Sequence, residues 1–83
     1  MNRFAVASGT LPNKDNTNYT FEMPAGFTHA NCVCIGLVYR NANGTTYHMT
    51  SNQAICLYAG RLSYTASDVT NGRPFSAIFY RYN

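Results

Sequence analysis

Cys32, Cys34, Cys56, His29 and His48 are the residues whose chemistry would be most specific, as metal ligands or as a redox pair. Structural zinc wants four ligands, commonly presented as C-x₂₋₄-C pairs. Here the spacing is C-x-C, and His48 or His29 would have to complete the set. Residues two apart on a strand lie roughly 6.5–7 Å apart, beyond ordinary disulfide reach, which argues against a Cys32–Cys34 bond. Cys56 could pair with either and leave one thiol over. The reading favoured is that all three pack as small apolar side chains, because free cysteine is among the most buried residue types. His48 reads as a partly exposed strand residue with a ligand contact as the alternative. His29 reads as a turn residue.

General acid–base chemistry has little to draw on. Asp15, Glu22 and Asp68 are the only carboxylates. Asp15 and Asp68 fall in loops, and Glu22 alternates outward between Phe21 and Met23. A glycosidase needs two carboxylates held at a defined separation. No serine sits in a nucleophile elbow, and no cysteine has an obvious activating partner. Neither an enzymatic activity nor a cofactor or metal is expected.

Recognition chemistry is better represented. Seven tyrosines accompany abundant Asn, Ser and Thr. Tyrosine supplies rigid amphipathic area, and short polar side chains supply adaptable hydrogen bonds. Most of the tyrosines fill strand positions by β propensity. Those near loops are candidates for contact, because binding residues concentrate in loops on a rigid scaffold. Tyr47, His48, Asn52, Gln53, Tyr58, Tyr64, Asn71 and Arg73 form the expected ligand-binding set.

The elements that must position these residues read as strands. Asn2 to Ser8 forms the first, followed by a Gly/Pro/Asn-rich loop from Gly9 to Asn18. Tyr19 to Met23 alternates aromatic and polar residues, as a half-buried strand does. Cys32 to Arg40 is a long central strand, and Asn41 to Gly44 ("NANG") a hairpin turn. Thr45 to Thr50 returns. Gln53 to Tyr58, Arg61 to Thr65 and Phe75 to Tyr82 complete about seven strands, with a loop from Ala66 to Pro74. Short strands at this spacing predict an all-β fold, a small antiparallel β-sandwich of jelly-roll-like form, as one domain over residues 1–83.

Strict alternation on the central strand places Val33, Ile35, Leu37 and Tyr39 on the core face. Cys32, Cys34, Gly36 and Val38 then share the opposite face, which is small but apolar. A strand apolar on both faces is covered on both, so this second set is the expected subunit interface, with a second sheet as the alternative cover.

Composition narrows the class. Aromatics are 14% and charged residues 11% of the chain, against a usual charged fraction of about 25%. The net charge of +3 comes from scattered arginines and one lysine. That gives nucleic-acid binding a weak electrostatic case, and the terminal "YRYN" reads as a strand end. No run approaches the roughly 20 apolar residues of a membrane span, and no signal peptide opens the chain. A strand-like run directly after Met1 is what a domain excised with an added start codon would show.

Two short motifs carry a resemblance. Pro24, Gly26, Phe27, Thr28, Asn31 and Cys32 match the pattern P-x-G-[FY]-T-x-x-N-C leading into a central strand. Gly72, Arg73, Pro74 and Phe75 form "GRPF" before the last strand. In both, over roughly Thr20 to Tyr82, the chain resembles the small C-terminal β domains of bacteriophage tail-fibre, baseplate and head-fibre proteins. The resemblance implies a non-enzymatic virion domain, homotrimeric, that attaches to the host surface by binding a cell-surface glycan or teichoic acid. The rivals are a monomeric carbohydrate-binding module of a secreted bacterial enzyme and a purely structural trimerisation cap. The expected partners are further copies of the chain and host polysaccharide, without nucleic acid or membrane insertion. The family's ligand contacts vary too much to transfer to particular residues.

Overall fold

A computed structural model describes residues 2–83. Seven strands form among them: β1 (Phe4–Thr10), β2 (Asn16–Thr20), β3 (Cys32–Arg40), β4 (Thr46–His48), β5 (Ala54–Tyr58), β6 (Arg61–Tyr64) and β7 (Pro74–Arg81). They build a four-stranded sheet of order β1-β7-β3-β4 and a three-stranded sheet of order β2-β6-β5, with all pairings antiparallel. The fold is the small β-sandwich that strand spacing predicts. Its first two strands pair with its last two, β1 with β7 and β2 with β6. This nesting brings the chain ends together on one sheet.

The core lies between the sheets. Ala7, Leu62, Tyr64, Phe75, Ala77 and Phe79 are its best-buried strand residues, with Leu11 and Phe27 closing it from loops. Phe21 packs edge-on against Phe75 and tilted against Phe79, at centroid separations of 5.7 and 6.2 Å. Offset and edge-to-face contacts of this kind add to the gain from burial.

The second strand differs from the sequence reading. It runs Asn16–Thr20, not Tyr19 to Met23. Its ladder partners are Tyr64, Leu62 and Arg61, and the hairpin joining β5 to β6 ends at Gly60. Beyond Thr20 there is no partner strand left. Phe21 keeps one backbone bond, its N–H donating to the Gly60 carbonyl at 3.0 Å, while its ring stays in the core.

The central strand carries the larger correction. Its bounds are as expected, but its faces are not. A β-bulge between Cys34 and Gly36 sets Ile35 out of register against β7. A bulge places two residues opposite one and shifts the alternation downstream. Cys32 and Cys34 therefore face inward with Leu37 and Tyr39, while Val33 and Ile35 point to solvent at 48% and 55% exposure. Gly36 and Val38 lie on the outer face, across from Ile78 and Ser76. The four residues expected to share one interface face are split two and two, and half of the expected core face is outside.

Both resembling motifs perform work in the fold. Asn31 laces the loop before β3: its Oδ1 accepts from the Thr28 N–H at 2.9 Å, and its Nδ2 donates to the Gly26 carbonyl at 2.9 Å. Gly26 holds a φ of 85°, in the left-handed region. In the second motif, Gly72 takes a φ of 71° to turn the chain into β7, and Phe75 enters the core.

Candidate functional site

The two sheets are unequal, and the fourth strand of the larger one projects past the smaller. The closest cross-sheet approach is between β3 and β5, so β4 lies beyond it. Tyr47 on β4 pairs with Tyr39 and shares its inward orientation, but at this rim its ring is 47% exposed. Tyr39 is buried beneath it, with the two rings stacked at 5.7 Å and 26°. This overhang and the loop before β7 enclose a cleft of about 550 Å³. Tyr39, Asn41, Ala42, Asn43 and Tyr47 line one side, and Asp68, Val69, Asn71 and Arg73 the other.

Each wall is braced from within. In the hairpin turn, Asn41 Oδ1 accepts from the N–H groups of Asn43 and Thr45 at 3.0 and 2.9 Å. This is the local side-chain bonding that makes Asn a turn residue. Arg73 reaches across and donates from Nε to the Arg40 carbonyl and from Nη2 to the Asn41 carbonyl, both at 2.9 Å. It ties the hairpin to the opposite loop.

That loop hangs on Tyr64. The Tyr64 hydroxyl donates to Asn71 Oδ1 at 2.6 Å and lies 2.7 Å from Thr70 Oγ1. A hydroxyl has one proton. With that proton on Asn71, Tyr64 must accept from Thr70. Thr70 in turn accepts from Ser67, whose Oγ lies 2.7 Å away. The result is a directed chain, Ser67 to Thr70 to Tyr64 to Asn71. Its centre is dry, with Thr70 and Tyr64 exposed by only 0% and 1%. Asp15 Oδ1, accepting from the Ala66 N–H at 2.8 Å, secures the start of the loop.

Of the residues expected to bind ligand, the fold brings together Tyr47, Asn71 and Arg73. Tyr64 stands behind the cleft wall as a buried support and cannot touch a ligand. His48 lies on the outer face of the four-stranded sheet, paired with Val38. Tyr58 is at the β5–β6 turn, its ring 5.9 Å from that of His29 and 6.0 Å from the Arg61 guanidinium. Gln53 is turned onto its own loop, its Oε1 accepting from the Thr50 N–H at 2.9 Å, beside exposed Asn52. Sequence reasoning missed Tyr39, Asn41, Asn43, Asp68 and Val69 as lining residues. The signal for Asn41 and Asn43 was the turn itself; Asp68 was weighed only as an acid.

The thiols form a separate cluster in the sandwich interior. All three are free, with Cys32 buried and the others half-buried. Cys34 and Cys56 are side-chain neighbours between the sheets, and each Sγ donates to a carbonyl of its own strand region, Cys34 to Gly36 at 3.3 Å and Cys56 to Tyr58 at 3.6 Å. The neighbouring Cys56 side chain favours the Cys34 thiolate and lowers the Cys34 pKa to about 7. Burial works against that shift, and backbone bonds at Gly36 and Ile78 add to it. Cys56 is raised, by its interaction with Cys34 first and by burial second. Cys32 is raised by burial and then by the charge of Cys34. No group of three or more His, Cys, Asp or Glu side chains suited to a metal ion converges among the described residues.

Comparison with protein-family models, with curated proteins and with solved structures finds no match for this chain.

Proposed function

We propose that the chain is a non-enzymatic attachment domain of a virion fibre, which binds a host-surface glycan in the Tyr47 cleft and packs against further copies of itself. The observation that carries the reading is the cleft. An exposed tyrosine ring, held rigid by stacking on a buried one, offers a flat apolar platform for the C–H face of a sugar. Asn43 and Asp68 at its rim supply donors and acceptors of the kind that sugar hydroxyls need. Apolar area with a few fixed polar groups is the usual composition of a ligand site. Neutral sugars suit it better than phosphate-rich teichoic acid. Asp68 repels anions, and Arg73 already spends two of its nitrogens on backbone carbonyls.

Self-association has its own support. The outer face of the four-stranded sheet carries Phe4, Val6, Val33 and Ile35 at 54%, 55%, 48% and 55% exposure, with Ile78 and Tyr80 among them. The Phe4 and Tyr80 rings lie 5.3 Å apart. Such side chains together expose several hundred Å², more than scattered surface apolar residues normally amount to. That is the apolar centre which an interface of about 800 Å² per partner requires. The occupant it fits best is another copy of the chain, whose own apolar face can turn to the same symmetry axis, since the apolar centre is uncharged and Arg40 and His48 sit at the β4 end of the face.

Glycan-array binding followed by titration tests the cleft. Tyr47→Ala is expected to weaken binding about tenfold or more while leaving the fold intact, because Tyr47 is on an edge strand and half exposed. Unchanged affinity in that variant would move the site elsewhere. Light scattering tests the face. The chain is expected to sediment as a trimer, and Ile35→Lys to release monomer; a wild-type monomer at high concentration would favour a monomeric binding module.

A further inference from the structure

The meeting of Cys34 and Cys56 is an unusual local geometry. Packed sheets normally stand about 10 Å apart, too far for the 4.4–6.8 Å Cα separation of a disulfide. Here β3 and β5 converge to bring Cα atoms within 8 Å, and Cys34 and Cys56 are half-buried side-chain neighbours packed on the core between them. Size is consistent with the convergence: Cys34 and Cys56 are small side chains packed on the core, while Phe75, Phe79 and Tyr64 fill it elsewhere. Each cysteine also lies beside a register shift, Cys34 at the β3 bulge and Cys56 at the irregularity before Tyr58. Bulged strands can bend where regular ladders cannot.

We infer that Cys34 and Cys56 are a thiol pair built to close into an inter-sheet disulfide by exchange with a small-molecule disulfide such as oxidised glutathione, leaving Cys32 as the remaining thiol. In the first step the Cys34 thiolate attacks one glutathione sulfur. A Cys34–glutathione bond forms, and one glutathione thiolate leaves and takes up a proton. In the second step Cys56 loses its proton and attacks Cys34 Sγ, expelling the second glutathione. The protein gives up two electrons and two protons, and the oxidant becomes two thiols. Cys34 is the thiol ready to begin, because its anion is stabilised by its neighbour. Once Cys34 is in the mixed disulfide, the largest cause of the raised Cys56 pKa, its interaction with the Cys34 thiol, is gone. Cys32 is 7% exposed, its Sγ donating to the Thr28 carbonyl at 3.1 Å. It lacks the partner contact that Cys34 has. The inference does not depend on the fibre reading.

The test is to incubate the folded chain with oxidised and reduced glutathione, unfold it in an alkylating reagent and map the peptides by mass. The expected result is a Cys34–Cys56 linked peptide pair, a loss of two hydrogens and alkylation at Cys32 alone. Thermal unfolding should rise by roughly 10 °C on oxidation, since the crosslink closes a long loop of the unfolded chain. Cys32→Ser should retain the rise, and Cys34→Ser should abolish it. Alkylation of all three thiols, a lasting glutathione adduct on Cys34, or a bond from Cys32 to Cys56 would overturn the inference. The wild-type peptide map decides this even if a variant fails to fold.

Discussion

Phe79→Ala is expected to cost about 3–5 kcal/mol, a large share of the stability this chain can have. A domain of 83 residues is held by roughly 4–12 kcal/mol in total. Phe79 is 1% exposed at the centre of β7, the strand between β1 and β3. It is paired with Ala5 on one side and Cys34 on the other, and Phe21, just past the end of β2, packs onto its ring. Its neighbours on both flanks are small, so the removed ring leaves a space that no adjacent side chain is long enough to fill. Small domains bury a modest share of their surface, which magnifies each core residue. Urea unfolding followed by circular dichroism gives the value. A loss below about 1.5 kcal/mol, the range of well-tolerated core swaps, would mean that the sandwich closes around the gap and that the core is less specified than its geometry indicates.

Tyr64→Phe is the second large effect, and it links the core to the cleft. The substitution keeps the ring and removes one oxygen. Thr70 then loses its acceptor and Asn71 Oδ1 loses a donor, both close to the buried end of the chain of hydroxyls. An unsatisfied buried polar group costs about 1–3 kcal/mol, more than the net value of the bond itself. The expected loss is about 2–3 kcal/mol. Asn71 and Asp68 belong to the loop so released, so ligand affinity should fall although Tyr64 touches no ligand. Thr70→Val, which removes the adjacent hydroxyl, should reproduce part of the loss. If Tyr64→Phe is neutral, the hydroxyl chain does not anchor the loop.

Much of the fold was legible in the chain. Seven short runs of β-forming residues, separated by Gly, Asn and Pro clusters, correspond to seven strands, and β3 begins and ends where the apolar run does. Turn chemistry was equally plain: Asn41 and Gly44 make the hairpin for the reasons their side chains dictate, with Gly44 at a φ of 86°. These features are local, and local sequence determines them. The end of β2 was not legible, because Phe21 to Met23 alternate as well as any strand; only the position of Gly60 removes their partner.

The faces of β3 depended on tertiary structure for the same kind of reason. Alternation from Cys32 to Arg40 is consistent with either side being the core, and both sides are apolar. The bulge at Ile35 arises from the fit of β3 to β7, a strand about forty residues away in sequence. It puts Cys34 on the same face as Leu37 and Tyr39 and leaves Ile35 outward, so the inward thiols and the apolar outer face share one cause. The cleft was visible only in part. Tyr47 and Arg73 could be suspected from their neighbouring turns, whereas Asp68 joins them because β4 overhangs the smaller sheet and the Tyr64 hydroxyl pins the facing loop. The sequence by itself determined the class, the strands and the turns, since each depends on neighbours within a few residues. Which side of each strand meets the core, and which loops meet each other, was decided by pairing between distant segments.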